Sequence, residues 1–180
     1  FGPGRFARTA YRIREEAGEG AGLAFVARVG SLLVAAVQLT PVRLGATRAF
    51  MLGPLTVDPP FEGRGIGRAL LQRCEDAARA LKSDLILLVG DEPYYRRAGY
   101  VRVPMGRVTL PGPVDPMRFL ALELTPDLFV TVPGTPAIHL DLQGSKASLR
   151  ATLKAVYGTR AFCAGMPDTQ TEFAMPDPED

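Results

Sequence analysis

The sequence predicts a mixed α/β chain built on a central sheet, and three patterns predict it. Two apolar runs, "LAFVARV" (Leu23 to Val29) and "LLVAAVQL" (Leu32 to Leu39), flank Gly30-Ser31. Apolar runs around such a pair read as a β-hairpin with a type II′ turn. From Ile66 the apolar positions Leu70, Cys74, Ala77 and Leu81 recur every three or four residues, one face of an amphipathic helix. "DLILLV" (Asp84 to Val89) then reads as a strand buried on both faces.

The remaining elements follow in order. Tyr11 to Glu16 read as a helix end before the glycine-rich break at Gly18 to Gly22. "AFMLGPLTV" (Ala49 to Val57) is a third strand with Gly53-Pro54 in its interior, where proline removes a ladder donor and glycine marks a bulge. Asp58-Pro59-Pro60 ends it. Pro93 suits the first turn of a short helix, Glu92 to Ala98, that Gly99 stops. Tyr100 to Val103 and "MRFLALEL" (Met117 to Leu124) are strand-like, with a proline-punctuated connection between them. "SKASLRATLKAVYG" (Ser145 to Gly158) reads as a helix with a serine start and a glycine stop. The acidic "MPDPED" tail lacks the apolar content to fold.

Composition narrows the function classes. A chain of 180 residues favours one domain, and a net charge of +2 marks no nucleic-acid or membrane surface. No apolar run approaches the ~20 residues of a membrane span. The two cysteines, Cys74 and Cys163, have no paired spacing, which fits free thiols in a reducing, cytoplasmic compartment. No metal-ligand spacing is present.

"FEGRGIGRALL" (Phe61 to Leu71) carries the chemistry. A glycine-rich turn between strand and helix is a natural anion site, because unpaired amides point outward and the helix dipole favours negative charge. Arg64 and Arg68 add charge for phosphate oxygens. A Walker loop needs Gly, four residues, Gly, Lys and Ser/Thr, and none exists here. A dinucleotide fingerprint fails too: its third glycine falls on Arg68 or Leu70. The plain alternative is a glycine turn with no ligand.

Context favours a ligand. "LGPLTVDPPFEGRGIGRALL" resembles the pyrophosphate-binding segment of the GCN5-related N-acetyltransferases, the GNAT superfamily, with its pattern Gln/Arg-x-x-Gly-x-Gly/Ala. Glu62, Gly63, Arg64, Gly65, Ile66 and Gly67 occupy those places. "LILLVGDEPYYRRAGYV" resembles the family's next strand, its helix and its Tyr-x-x-x-Gly-Phe/Tyr segment. The wording is especially similar to the YhbS-like, bacterial-type branch. Glu62 departs from the pattern, which puts a side-chain contact there in doubt and leaves the backbone.

The resemblance implies a GNAT fold, a mixed sheet with a bulged strand and helices on both faces. It implies an acetyltransferase domain over residues 1–125 without its first strand, and residues 126–180 as an extension packing on the same domain. It implies an enzyme transferring acetyl from acetyl-CoA directly to a primary amine of a small molecule or protein, as a monomer or homodimer. The amides of Glu62, Gly63, Arg64, Gly65, Ile66, Gly67 and Arg68 would hold the pyrophosphate. Leu55 and Val57 would pair with the pantetheine arm, and the Leu55 amide would receive the oxyanion. Tyr95, four residues before Gly99, takes the place of the general acid, with Tyr94 on the cofactor side. Asp91 is the candidate base, with Glu92 and a water chain as alternatives. His139 and Glu123 read as surface residues. The rival function is a CoA-binding sensor or interaction module without turnover. Transfer of another acyl group, or to a hydroxyl, is a further alternative.

Overall fold

The computed structural model describes residues 22–126 continuously, with Thr9, Arg12, Ile13, Leu128 and the strand backbones of 138–141 and 170–174. Strands β1 (Leu23–Val29) and β2 (Leu32–Leu44) form the expected hairpin, with Val29 opposite Leu32. Gly30 sits at φ +58, as the first position of a II′ turn requires. Strand β2 runs past Leu39, where the apolar run of the sequence reading ended, through Thr40-Pro41 to Leu44. Pro41 nonetheless lies in register opposite Phe50 of β3 (Thr47–Val57).

Helix α1 (Ile66–Ala80) crosses back to β4 (Leu85–Val89), which pairs parallel to β3. Short helix α2 (Glu92–Tyr95) tightens into a 3-10 turn at Arg96–Ala98 and stops at Gly99, φ +85. Strands β5 (Val101–Arg102), β6 (Val108–Thr109) and β7 (Phe119–Glu123) follow. Last come β8 (Ile138–Asp141) and β9 (Gln170–Ala174). The sheet runs β5-β7-β4-β3-β2-β1-β9, with β8 on the far end of β2 and β6 on β8. It is mixed: β3 and β4 are parallel, as are β1 and β9, while β1–β2, β2–β3 and β4–β7 are antiparallel. The helix expected at Ser145 to Gly158, Cys163 and the acidic tail lie outside the described residues.

Strand alternation splits the core between the two sheet faces. Ile86 and Leu88 of β4 join Phe50 and Leu52 under α1, whose buried face is Ile66, Leu70, Leu71, Cys74, Ala77 and Ala78. Each fully buried leucine there stabilises the fold by ~1.5–3 kcal/mol. Leu85 and Leu87 point the other way, to Val42, Met51 and the helical residue Ile13. Helical residues thus cover both faces. The Cys74 thiol is free and buried, and its burial pushes its pKa up.

Asp84 closes one end of the β3–β4 pair. Its carboxylate accepts from the Arg48 amide at 3.2 Å and the Thr125 hydroxyl at 2.9 Å. Its own amide donates to the Arg48 carbonyl at 2.8 Å. The other end is open.

Candidate active site

The opening begins in the β3 register. Val37 of β2 faces Leu55, but Leu39 faces Leu52, so β3 carries Gly53-Pro54 against the single residue Gln38. This is the irregularity expected from the sequence. Gly53 takes φ +139, a conformation that favours glycine. On its other side β3 pairs with β4 only from Ala49↔Leu85 to Leu52↔Leu88. Beyond Leu52 the two strands part, and the β3 edge over Gly53 to Val57 has no β4 partner.

The start of α1 faces the same opening. Gly63 and Gly65 sit at φ +75 and +81, and an added Cβ at either would meet open space. Gly65 caps the helix with no side-chain hydrogen bond. Among the described residues the amides of Gly63 to Arg68 find no acceptor; the first bond of the helix is Ala69 to the Gly65 carbonyl, 2.9 Å. Unpaired first-turn amides and a 15-residue helix dipole together favour an anion.

The third wall is α2. Gly90 makes room for the Tyr95 ring, since an added Cβ there would lie 2.2 Å from its Cε2. Tyr94 and Tyr95 meet edge to face at 5.0 Å, and Tyr95 meets Tyr100 the same way at 5.8 Å. Together these walls enclose an open cleft of about 670 Å³.

A family profile described as an acetyltransferase (GNAT) domain matches residues 20–102, the span holding all three walls. Residues 20–102 thus match a GNAT acetyltransferase domain. The structure of the GNAT family N-acetyltransferase YhbS from Escherichia coli, in complex with CoA, is similar in fold. It is 17% identical with a TM-score of 0.58, over 73% of this chain and 74% of that one. A GNAT family acetyltransferase from Brucella melitensis, in complex with acetyl-CoA, is 23% identical with a TM-score of 0.52, over 72% and 73% of the two chains. Identities this low speak for the fold alone. A search of curated proteins finds no match.

The matched span gathers most of the sequence-derived candidates on one cleft. Leu55, Val57, Glu62, Gly63, Gly65, Ile66, Gly67, Arg68, Asp91, Tyr94 and Tyr95 all line it. Arg64 does not: its guanidinium lies 5.2 Å from the centre of the Phe61 ring. The Glu62 amide already donates to the Pro59 carbonyl at 3.2 Å, so it is not free for a ligand. Asp91 forms an exposed 3.2 Å ion pair with Arg118. Glu92 pairs with Arg102 and does not line the cleft. His139 lies in β8 opposite Thr109.

Sequence reasoning missed Phe61, Leu71, Arg97 and Ala98 in the lining. A signal existed for three of them. Arg97 and Ala98 follow Tyr94 by three and four residues, and Leu71 follows Gly67 by four, so each pair shares a helix face.

Burial pushes the Tyr95 hydroxyl up to about 12; Tyr94 and Asp91 nearby push the same way and Arg118 opposes them. Burial also raises Tyr94. Both phenols stay protonated at neutral pH and can donate hydrogen bonds. Tyr100 is 1% exposed, and its hydroxyl has no hydrogen-bond partner among the described residues. No cluster of metal-ligating side chains exists among the described residues, and none of their helices is long and apolar enough to cross a membrane.

Proposed function

We propose that the chain is an acetyl-CoA-dependent N-acetyltransferase acting on a primary amine. One observation carries the reading: the unpaired edge of β3 and the unbonded amides at the start of α1 face the same cleft. A thioester on a thin amide-bearing arm with a diphosphate at its far end fits both walls. The edge at Leu55 and Val57 can pair with the arm's amides as an added strand would. The amides from Gly63 to Arg68, with the Arg68 guanidinium, take the diphosphate. The CoA and acetyl-CoA complexes of the E. coli and Brucella proteins support this assignment.

The bound thioester supplies the acetyl group. The chain's residues must receive the amine's proton, hold the charge that grows on the carbonyl oxygen and stabilise the departing sulfur. The Leu55 amide is the proposed donor to the oxygen. Tyr95 is the proposed donor to the sulfur. A thiol at ~8.5 is a stronger acid than a tyrosine at about 12, so Tyr95 stabilises the departing thiolate as a hydrogen-bond donor, and the sulfur takes its proton from solvent. The amine's proton passes to Asp91 or, because Arg118 engages that carboxylate, through water to solvent. The catalytic unit is proposed to close with β7 near residue 125, and the pairing of β8 and β9 with the sheet supports 126–180 as an extension of the same domain.

The Arg118–Asp91 pair favours a second reading, a CoA-binding module without turnover, because it engages the carboxylate that lines the cleft beside Tyr94 and Tyr95. Thiol release from acetyl-CoA across a panel of amines, aminoglycosides and peptides separates the two. Amine-dependent release that falls in Tyr95→Phe supports the enzyme. Tight CoA binding with no release for any acceptor supports the module.

A further inference from the structure

Arg68 lines the cleft beside the unpaired amides, but two other positions at the helix start supply no side-chain donor. Glu62 is acidic, and Arg64 lies on Phe61, outside the cleft lining. Another group stands at the helix start. Tyr94 reaches across from α2, and a Cβ added to Gly67 would lie 2.1 Å from its Oη and 3.4 Å from its Cζ. The same Cβ would be 3.6 Å from Val57 Cγ2. Gly67 has ordinary helical backbone, so glycine here is explained by the tyrosine above it and not by its own dihedral angles.

We propose that the Tyr94 hydroxyl is a side-chain donor of the diphosphate site, supplied by α2 in place of the side chains at positions 62 and 64. This rests on the acetyl-CoA reading. Tyr94 is 45% exposed, lines the cleft, and its hydroxyl donates to no group among the described residues. It stands beside the unpaired amides of Ile66, Gly67 and Arg68 and within the lining that Arg68 and Arg97 share. An anion on those amides shares the cleft lining with a neutral donor, Tyr94, and with Arg68 and Arg97. A hydrogen bond from a hydroxyl to a charged oxygen adds affinity at little desolvation cost, because Tyr94 is already half in water. The site therefore recognises the diphosphate, while the arm beyond it is read by β3.

Calorimetric titration of CoA, inorganic pyrophosphate and pantetheine into the wild type, Tyr94→Phe and Gly67→Ala tests this. Tyr94→Phe keeps the ring and should weaken CoA and pyrophosphate about tenfold while leaving pantetheine unchanged. Gly67→Ala displaces the hydroxyl and should weaken the same two ligands. Equal CoA affinity in wild type and Tyr94→Phe overturns the proposal, as does an equal loss for pantetheine. If the wild type binds pyrophosphate through Tyr94 but does not bind CoA, the acetyl-CoA reading fails and the anion site stands. If neither binds, both fall.

Discussion

The two ends of the β3–β4 pair are built from the same kind of strand and do opposite things. At the Asp84 end, one carboxylate ties β3 through the Arg48 amide and the segment after β7 through Thr125. At the Leu52 end the pairing stops, β3 kinks at Gly53-Pro54, and a cleft opens against α1 and α2. A parallel pair held at both ends would leave no edge for a ligand. One open at both ends would not position Leu55 or Tyr95. The contrast teaches that stability and binding are separated along one strand pair, so changes at one end should leave the other end's property intact.

The largest effect is expected at the open end, on turnover. Tyr95→Phe should lower kcat by about 10²–10⁴-fold with CoA affinity nearly unchanged, read by steady-state kinetics and calorimetry. Unchanged turnover would remove Tyr95 from the chemistry. Next is the closed end. Asp84→Ala removes the acceptor of the part-buried Arg48 amide and of the exposed Thr125 hydroxyl and should cost about 1–2 kcal/mol in urea unfolding. CoA affinity measured under folding conditions should not move. A weakened affinity would show that the two ends are coupled and break the comparison.

Arg68→Glu should cost about 1–3 kcal/mol of CoA binding without changing the unfolding midpoint. Arg64→Glu should cost less, because that guanidinium sits on Phe61 and outside the cleft. The reverse order would place the phosphate on the wrong side of the helix start.

These assignments mix what the sequence made legible with what it could not. The hairpin, α1 and β4 were legible because each is a local pattern: a Gly-Ser turn, a helical period, an apolar run. Gly53-Pro54 was legible as a bulge because both residues are poor in a regular strand. The far half of β2 was not, because Thr40-Pro41 punctuates locally while pairing across β3 outweighs the lost donor. The two-residue β6 carries too little sequence to show a period. Most of the cleft was legible because it is drawn from two continuous segments. Arg64 and Arg68 look equivalent in sequence, and only the packing of Phe61 separates them. Arg118 engages Asp91 from another strand's approach, which no spacing rule reveals.

A smaller effect concerns alkaline stability. Tyr95 is raised to about 12 when folded against ~10 unfolded, so its contribution is complete below pH 10 and is lost as pH climbs from 10 to 12. Tyr95→Phe should flatten that loss in unfolding measured across this window, and an unchanged slope would contradict the burial of its hydroxyl. The smallest effect is expected at Tyr100. Removing a buried hydroxyl without a partner among the described residues, in Tyr100→Phe, should leave stability unchanged or raise it by up to ~1 kcal/mol. A clear loss would mean that this hydroxyl is bonded.

Amide hydrogen exchange with and without saturating CoA tests the central claim most directly. Among the described residues the amides of Gly63 to Arg68 lack partners, and the β3 edge at Leu55 and Val57 lacks β4, so a ligand bridging them must slow exchange there. Slower exchange over these two segments, with none around Asp84, is the predicted result. Unchanged exchange at both segments under saturating CoA would contradict the claim that the open end of the β3–β4 pair is the cosubstrate site.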